Sequence, residues 1–114
     1  MRETTVENYL RKLVIKLGGK CYKWTSPGTT GAPDRIVVFN GAIFFVETKA
    51  PKGRLRPRQK VVAKELAELG FDVVVLNTRE KVKLWVELQF SLLEIQRYPR
   101  KTALLTNITV PTGY

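Results

Sequence analysis

Residues 31–60 of this chain read GAPDRIVVFNGAIFFVETKAPKGRLRPRQK and contain two short apolar runs, Arg35–Phe39 and 42–46. The dipeptide Asn40-Gly41 lies between these two runs. A two-residue turn that joins paired strands needs a positive φ angle at both positions, and Asn-Gly accepts that backbone readily. The sequence therefore predicts an antiparallel β-hairpin centred on this dipeptide.

The predicted turn fixes which side chains face each other across the hairpin. Phe39 pairs with Ala42, and counting outward from that pair places Asp34 opposite Glu47. Lys49 shares a face with Glu47, because side chains alternate along a strand. Taken singly, Asp34 is typical of a turn and Glu47 of a solvated strand end. Two carboxylates that face each other repel, so the pair predicts a site for a divalent cation with oxygen ligands.

Two further elements are predicted before the hairpin. Apolar residues recur at helical spacing over residues 4–17 and predict an amphipathic helix. Thr4 and Glu7 have the spacing of a capping box at its start, and Gly18 is a natural helix end. Residues 20–25 alternate in the manner of a strand.

After the hairpin, the pattern changes from strand to helix and back. Residues 50–56 form a basic loop, a helix is predicted from Pro57 to the glycine at position 70, and residues 72–76 predict a buried strand. A strand, a helix and a second strand imply a parallel pair. A last helix is predicted over residues 78–89, with a continuation through Ile95 left open. The order α-β-β-β-α-β-α predicts an α/β domain with a mixed sheet flanked by helices.

Composition indicates the class of partner. The 114 residues include 20 Lys and Arg against 10 Asp and Glu, a formal net charge of +10. This excess implies an anionic partner, with nucleic acid as the first candidate, and a generally basic protein without a special partner is the alternative.

The chain has no histidine, which excludes histidine catalysis and histidine metal ligands. Cys21 is the single cysteine, and no apolar run has the length of a membrane span or signal peptide, so we expect a cytoplasmic protein without membrane contact.

The motif residues now show a family resemblance. Pro33-Asp34, followed after the hairpin by Glu47-Thr48-Lys49, resembles the signature of the PD-(D/E)XK nucleases. The longer string GAPDRIVV…FFVETKAPKGRLRPRQK is similar to the VRR-NUC branch, in which Gly-x-Pro-Asp, Glu-x-Lys and a later glutamine recur. The resemblance covers residues 4–76 and implies a restriction-endonuclease-like core. It also implies a single domain over residues 1–114, with its core at about 4–93 and a C-terminal tail or arm at 94–114.

The resemblance implies a set of metal ligands. Asp34 and Glu47 would bind Mg²⁺, with Mn²⁺ as an expected substitute, and the backbone carbonyl of Thr48 would be a further ligand. Glu7 would complete the metal site from the first helix, although a capping box explains the same residue without any metal.

The resemblance also implies a catalytic set of Asp34, Glu47, Lys49 and Gln59. Lys49 would orient or deprotonate the attacking water, or stabilise negative charge on the phosphate. Gln59 would fix Lys49 or the phosphate from the helix after the loop. This chemistry agrees with the residue pattern, because a lysine is a compact charge that can bind phosphate beside a metal.

A basic run follows the catalytic lysine. Such a run is usually a solvated face, but its position beside the carboxylates predicts contacts with DNA phosphates, which orient a substrate without reading its sequence. The resemblance implies a homodimer on branched DNA such as Holliday junctions. The alternatives are a nicking or flap-type nuclease on other DNA structures, and a DNA-binding module that does not cut. The predicted phosphate-binding residues are Lys52, Arg54, Arg56, Arg58 and Lys60.

Overall fold

The computed structural model describes the backbone of residues 2–39 and 41–106, and the side chains of the last helix as far as residue 92. This part of the chain contains three helices and four strands in the predicted order, so the predicted α/β class is confirmed. The elements are α1 Glu3–Lys16, β1 Lys20–Lys23, β2 Arg35–Phe39, β3 Ala42–Thr48, α2 Pro57–Glu68, β4 Val73–Leu76 and α3 Arg79–Thr106.

The four strands form one mixed sheet in the order β1-β2-β3-β4. Strand β2 pairs antiparallel with β1 on one side and with β3 on the other, and β3 pairs parallel with β4 across the α2 crossover. The β2–β3 hairpin has the predicted register, with Phe39 opposite Ala42. Strand β3 continues two residues past the predicted end at Val46, because Glu47 and Thr48 pair with β4. The sheet therefore holds both motif residues by hydrogen bonds to a neighbouring strand.

One face of the sheet carries the hydrophobic core. Helices α1 and α3 pack against each other and over this face. Each helix contributes three buried side chains at helical spacing, and the strands contribute the residues that alternate toward the helices. Burying one such aliphatic side chain stabilises a fold by about 1.5–3 kcal/mol. The core consists of Val6, Leu10, Val14, Val37, Val46, Leu76, Val82, Val86 and Phe90.

The start of α1 differs from the prediction. The helix begins at Glu3, with Arg2 as its N-cap residue, and no side chain caps it. Thr4 lies inside the first turn, so the predicted capping box of Thr4 and Glu7 is wrong. Glu7 instead forms an ion pair with Arg35 of the hairpin, at 3.0 Å between the carboxylate Oε1 and the guanidinium Nη2.

The last helix is longer than the sequence pattern predicted. Helix α3 extends over Arg79–Thr106, where the pattern supported a helix only to residue 89 or 95. The β-branched residues over 102–110 allow a tail, an edge strand or an arm, and the helix excludes a strand as far as residue 106. The division into a core at 4–93 and a tail or arm at 94–114 stays a prediction, and residues 107–114 lie outside the described part. No helix within residues 2–106 combines the length and the apolar character needed to cross a membrane.

Candidate active site

Three carboxylates meet where β2 and β3 end next to the start of α1. One ligand oxygen from each of Glu3, Asp34 and Glu47 lies within 4.8 Å of the others. Asp34 directly precedes β2, and Glu47 is the sixth residue of β3, so the hairpin register brings the two acids together as the sequence predicted. The first turn of α1 adds the third carboxylate. This arrangement offers several hard oxygen donors to one small volume.

Asp34 is held by two hydrogen bonds from Thr48. The backbone N–H of Thr48 donates to Oδ1 at 3.3 Å, and its hydroxyl Oγ1 donates to Oδ2 at 3.0 Å. Lys49, the next residue, donates its N–H in the other direction, to the carbonyl of Leu76 in β4. In a strand the N–H and C=O of one residue lie on the same edge, so the Thr48 carbonyl also faces the Asp34 side. The backbone geometry thus supports the carbonyl as a fourth oxygen donor.

Glu47 is almost fully buried, with 4% of its surface exposed, and has two polar neighbours. The ammonium Nζ of Lys49 lies 3.9 Å from its Oε1. The amide Nε2 of Gln59 donates a hydrogen bond to the same oxygen at 3.2 Å, while Gln59 Oε1 accepts one from the backbone N–H of Arg56 at 2.8 Å. Gln59 was predicted to contact Lys49 or phosphate, but in the structure it joins Glu47 to the start of α2.

The two central acids bind protons more tightly than free carboxylic acids. Burial raises the pKa of Asp34 to about 6, and a hydrogen bond shared with Glu7 adds to the rise, although the Thr48 bonds oppose it. Burial also raises the pKa of Glu47 to about 7, the charge of Asp34 adds to it, and Lys49 opposes it. Burial therefore makes both carboxylates costly to ionise in spite of Lys49, and this is a condition that favours an added metal ion.

Two glutamates of α1, Glu3 and Glu7, lie near the central acids, although the sequence predicted only Glu7 there. Burial alone would raise the pKa of Glu7, but its hydrogen bonds with Arg35 and Asp34 outweigh that effect and lower it. Glu7 is thus engaged beside the site, while Glu3, one helical turn earlier, belongs to the acidic cluster. The role of Glu7 as a metal ligand stays a prediction, and the structure places Glu3 nearer to the two central acids. The available signal was their spacing of four residues, which places both on one face of α1.

The loop after Lys49 turns sharply before α2. The N–H of Gly53 donates to the carbonyl of Ala50 at 2.7 Å, and Lys52 has a positive φ of 67°. A Cβ atom on Gly53 would lie 2.9 Å from the Cβ of Lys49, so the turn is tight against this lysine. The basic residues of this loop and of the first turn of α2 are all exposed, as their predicted role requires. They are Lys52, Arg54, Arg56, Arg58 and Lys60.

Two known proteins are similar to this chain. A protein described as "Putative nuclease p44", from Acyrthosiphon pisum secondary endosymbiont phage 1, is 43% identical over 81 residues, which are 70% of this chain and 87% of that protein. A solved structure described as a VRR_NUC domain has a TM-score of 0.69 and 30% sequence identity, and the match covers 75% of this chain and 94% of that one. No family model matches the chain. The similarities extend well beyond the motif residues, over most of the described fold.

Proposed function

This chain belongs to the VRR-NUC family of nucleases, and on that basis we propose that it is a Mg²⁺-dependent endonuclease that hydrolyses phosphodiester bonds in branched DNA. The observation that carries the proposal is the cluster of Glu3, Asp34 and Glu47, of which Glu47 is buried, with Lys49 beside it. We expect it to act in the cytoplasm of a bacterial or phage-infected cell, where such DNA is accessible.

The donor set fits a hard divalent cation. Asp34 and Glu47 would hold Mg²⁺, or Mn²⁺ in its place, together with Glu3 and the Thr48 carbonyl. Carboxylate and carbonyl oxygens are the ligands that Mg²⁺ prefers, and burial, which raises the pKa of both central acids, makes added positive charge favourable there. When bound, such an ion lowers the pKa of water and neutralises charge on the phosphate.

The chain's own residues supply the remaining chemistry. Lys49 lies in a nearly dry position, where its ammonium group can donate to a phosphate oxygen or orient the attacking water. Gln59 donates a hydrogen bond to Oε1 of Glu47, and this bond connects α2 and the basic loop before it to the carboxylates. The Thr48 bonds to both oxygens of Asp34 restrict that side chain to one orientation.

The proposed substrate is DNA recognised by shape. The exposed basic residues from Lys52 to Lys60 can contact phosphates beside the carboxylate cluster, and such contacts carry no sequence information. A branched junction presents two equivalent strands, and a homodimer with two-fold symmetry would offer a cluster to each of them.

Mutation of the cluster tests the proposal. With Mg²⁺, Asp34→Ala and Lys49→Ala should each reduce cleavage of a labelled Holliday junction by at least about 10²-fold, because each removes a group that acts on the reacting phosphate. DNA binding should remain close to that of the original chain. The matched controls are Asp72→Ala and Lys64→Ala, which remove the same charges at exposed positions and should cut normally.

The choice of DNA separates the proposal from its alternatives. The original chain should cut the junction faster than a flap or a plain duplex. Preferred cleavage of the flap would support the nicking or flap-type alternative, and binding of all three without cleavage would support a DNA-binding module. Normal cleavage by Asp34→Ala would show that the proposed site is wrong.

A further inference from the structure

The carboxylates adjoin an apolar stretch of the same sheet face. Trp24 donates its backbone N–H to the carbonyl of Asp34 at 2.9 Å, so it continues the pairing of β1 with β2. By the strand register, Trp24, Asp34 and Glu47 form one cross-strand row. Two strand residues span about 7 Å, so the next row on the same face lies directly beside the acids. That row consists of Tyr22, Ile36, Phe45 and Val73.

Aromatic rings cross this face from one edge of the sheet to the other. The ring centroids of Trp24 and Phe45 lie 5.3 Å apart, and their contact passes over β2 because Trp24 follows β1 and Phe45 belongs to β3. The centroids of Phe45 and Phe71, which lies just before β4, are 5.7 Å apart. Tyr22 is 56% exposed and Phe71 is 49% exposed. We call these four residues, Tyr22, Trp24, Phe45 and Phe71, the aromatic strip.

The aromatic strip is open to solvent beside a site that must admit DNA. Helices α1 and α3 pack on the opposite face of the sheet, where Val37 and Val46 are fully buried. A contiguous exposed apolar patch marks a binding surface. A protein partner packed over the strip would also cover Asp34 and Glu47, which the proposed function needs to be accessible. The occupant that fits is therefore a part of the substrate itself.

We propose that the aromatic strip stacks on unpaired bases of the DNA strand that is cut, next to the scissile phosphate. Aromatic side chains bind single-stranded nucleic acid in this way, because every base has a π face on which a ring can stack. Trp24 shares a row with the acids, so it would contact the base nearest to the cut. This inference rests on the proposed function and narrows its substrate class to branched DNA with unpaired bases beside the cut.

The distribution of charge fits a single strand that lies across this surface. The strand residues of this face include no acid besides Asp34 and Glu47. Along β3 and the loop that follows it, the order is Phe45, Glu47 and then the exposed cations that begin at Lys52. A strand whose bases contact the aromatic strip can therefore bring one phosphate to the acids and its neighbouring phosphates to the cations.

A paired duplex cannot use the aromatic strip in this way. Its bases are stacked on one another, and its phosphates and sugars form the outside, so a ring would meet no free π face. An unpaired base at a branch point has lost a stacking neighbour, and an aromatic ring can take the place of that neighbour. The strip should therefore distinguish an open branch point from fully paired DNA.

Tryptophan fluorescence tests the contact without any cleavage. The chain has two tryptophans, and Trp85 packs edge-on against Phe44 of β3. In Trp85→Phe the emission therefore comes from Trp24 alone. A single-stranded oligothymidylate of about 10 nucleotides, added in EDTA, should quench this emission, because a base that is stacked on indole quenches its fluorescence. A duplex of the same length should not quench it. The oligothymidylate should also leave the emission of Trp24→Phe, which keeps Trp85, unchanged.

Substitutions at equally exposed positions test the rest of the aromatic strip. Tyr22→Ala and Phe71→Ala should each weaken binding of the oligothymidylate by about five- to a hundredfold, the loss typical of one stacked base. The controls are Leu88→Ala on α3 and Ile15→Ala on α1, which have the same exposed fractions of 56% and 49% and should bind normally. Circular dichroism and the thermal midpoint of each variant confirm folding, and Tyr22→Ala decides the matter if a tryptophan variant fails to fold.

Cleavage of two matched junctions separates this inference from the proposed function. The junctions have identical arms, and one of them carries a few unpaired thymidines beside the cut. The original chain should cut this open junction at least about tenfold faster than the fully paired one, whereas Tyr22→Ala and Trp24→Ala should cut the two junctions at similar rates.

The possible outcomes distinguish the two proposals. Equal cleavage of both junctions by the original chain, or equal quenching of Trp24 by duplex and single strand, would overturn the inference and leave the nuclease proposal intact. A mass of two copies that Tyr22→Ala reduces to one, with unchanged binding of the oligothymidylate, would overturn it by showing that a second copy covers the strip. Quenching of Trp24 by the single strand in a chain that cuts neither junction would support the strip and refute the nuclease proposal.

Discussion

At the scale of single residues, the site is defined by two acids whose pKa values rise on folding. The pKa of Asp34 rises to about 6 and that of Glu47 to about 7, chiefly because burial disfavours the charged forms. A divalent cation would replace those protons and supply the missing positive charge. Metal binding and proton binding therefore compete for the same two side chains.

This competition predicts how pH changes the stability of the fold. An acid whose pKa is raised by folding stabilises the protein below its unfolded pKa, and that contribution is lost as pH rises through its folded pKa. The free energy of unfolding of the metal-free chain should therefore fall by on the order of a few kcal/mol between about pH 4 and about pH 7, because each pKa unit corresponds to about 1.4 kcal/mol. Millimolar Mg²⁺ should raise the thermal midpoint more at about pH 8 than at about pH 5. Equal stabilisation at both pH values would contradict this account.

Two glutamates of α1 differ in role although they are one helical turn apart. Glu3 should bind metal, so Glu3→Gln should weaken Mn²⁺ binding in a calorimetric titration and leave the thermal midpoint of the metal-free chain nearly unchanged. Glu7 neutralises the half-buried Arg35, whose Nε already lacks a hydrogen-bond partner among the described residues. Glu7→Gln should lower the free energy of unfolding by about 1–3 kcal/mol. If instead Glu7→Gln weakened Mn²⁺ binding and Glu3→Gln lowered the free energy of unfolding, Glu7 would be the metal ligand from α1.

At the scale of elements, local chemistry made the hairpin predictable. Asn40-Gly41 predicts the turn, although Asn40 itself lies outside the described residues, and the confirmed register of β2 and β3 places Asp34 opposite Glu47. The position of α1 over the hairpin depends on long-range packing of its buried valines and leucine, so no local pattern could show which glutamate reaches the acids. The full length of α3 could not be predicted from the sequence, because proline and β-branched residues near its C-terminal end indicate a break in the helix.

A contact between a loop and a helix supports the site from outside. Gly31 has a φ of +94°, and a Cβ atom there would lie 2.5 Å from the carbonyl oxygen of Arg58 in α2. Gly31→Ala should displace the start of α2, and with it Gln59, and should reduce both stability and cleavage. Gly70 has a φ of +95° but open space around it, so Gly70→Ala isolates the backbone strain, a cost of about 1–2 kcal/mol. If Gly31→Ala and Gly70→Ala lowered the thermal midpoint and the cleavage rate equally, the contact between Gly31 and α2 would have no role in the site.

At the scale of the whole molecule, five exposed cations of a chain with a net charge of +10 lie on the loop after β3 and the first turn of α2. Composition predicted an anionic partner, but it could not show where these cations lie relative to the acids. The fold joins the first turn of α2 to Glu47 through the hydrogen bond from Gln59, and so brings the cations close to the carboxylates.

The basic loop should control the salt dependence of DNA binding. Replacing Arg54, Arg56 and Arg58 by Ala should weaken binding to every DNA shape and reduce the slope of log affinity against log salt by about 2–3, since each lost phosphate contact contributes about 0.9. The charge-matched control replaces Lys64, Lys81 and Lys83, which are exposed on other surfaces. Fluorescence anisotropy over a salt series gives both slopes, and an equal change in the two triple variants would exclude a special role for the loop.

The central claim is that Asp34 and Glu47 are held together tightly enough to bind a divalent metal ion. Anomalous X-ray scattering from a crystal soaked in Mn²⁺ tests this most directly. The predicted result is a peak within coordination distance of both carboxylates, next to Glu3 and the Thr48 carbonyl, which disappears in Asp34→Ala. A gap without manganese between these two carboxylates, with the ion absent or bound elsewhere, would contradict the account.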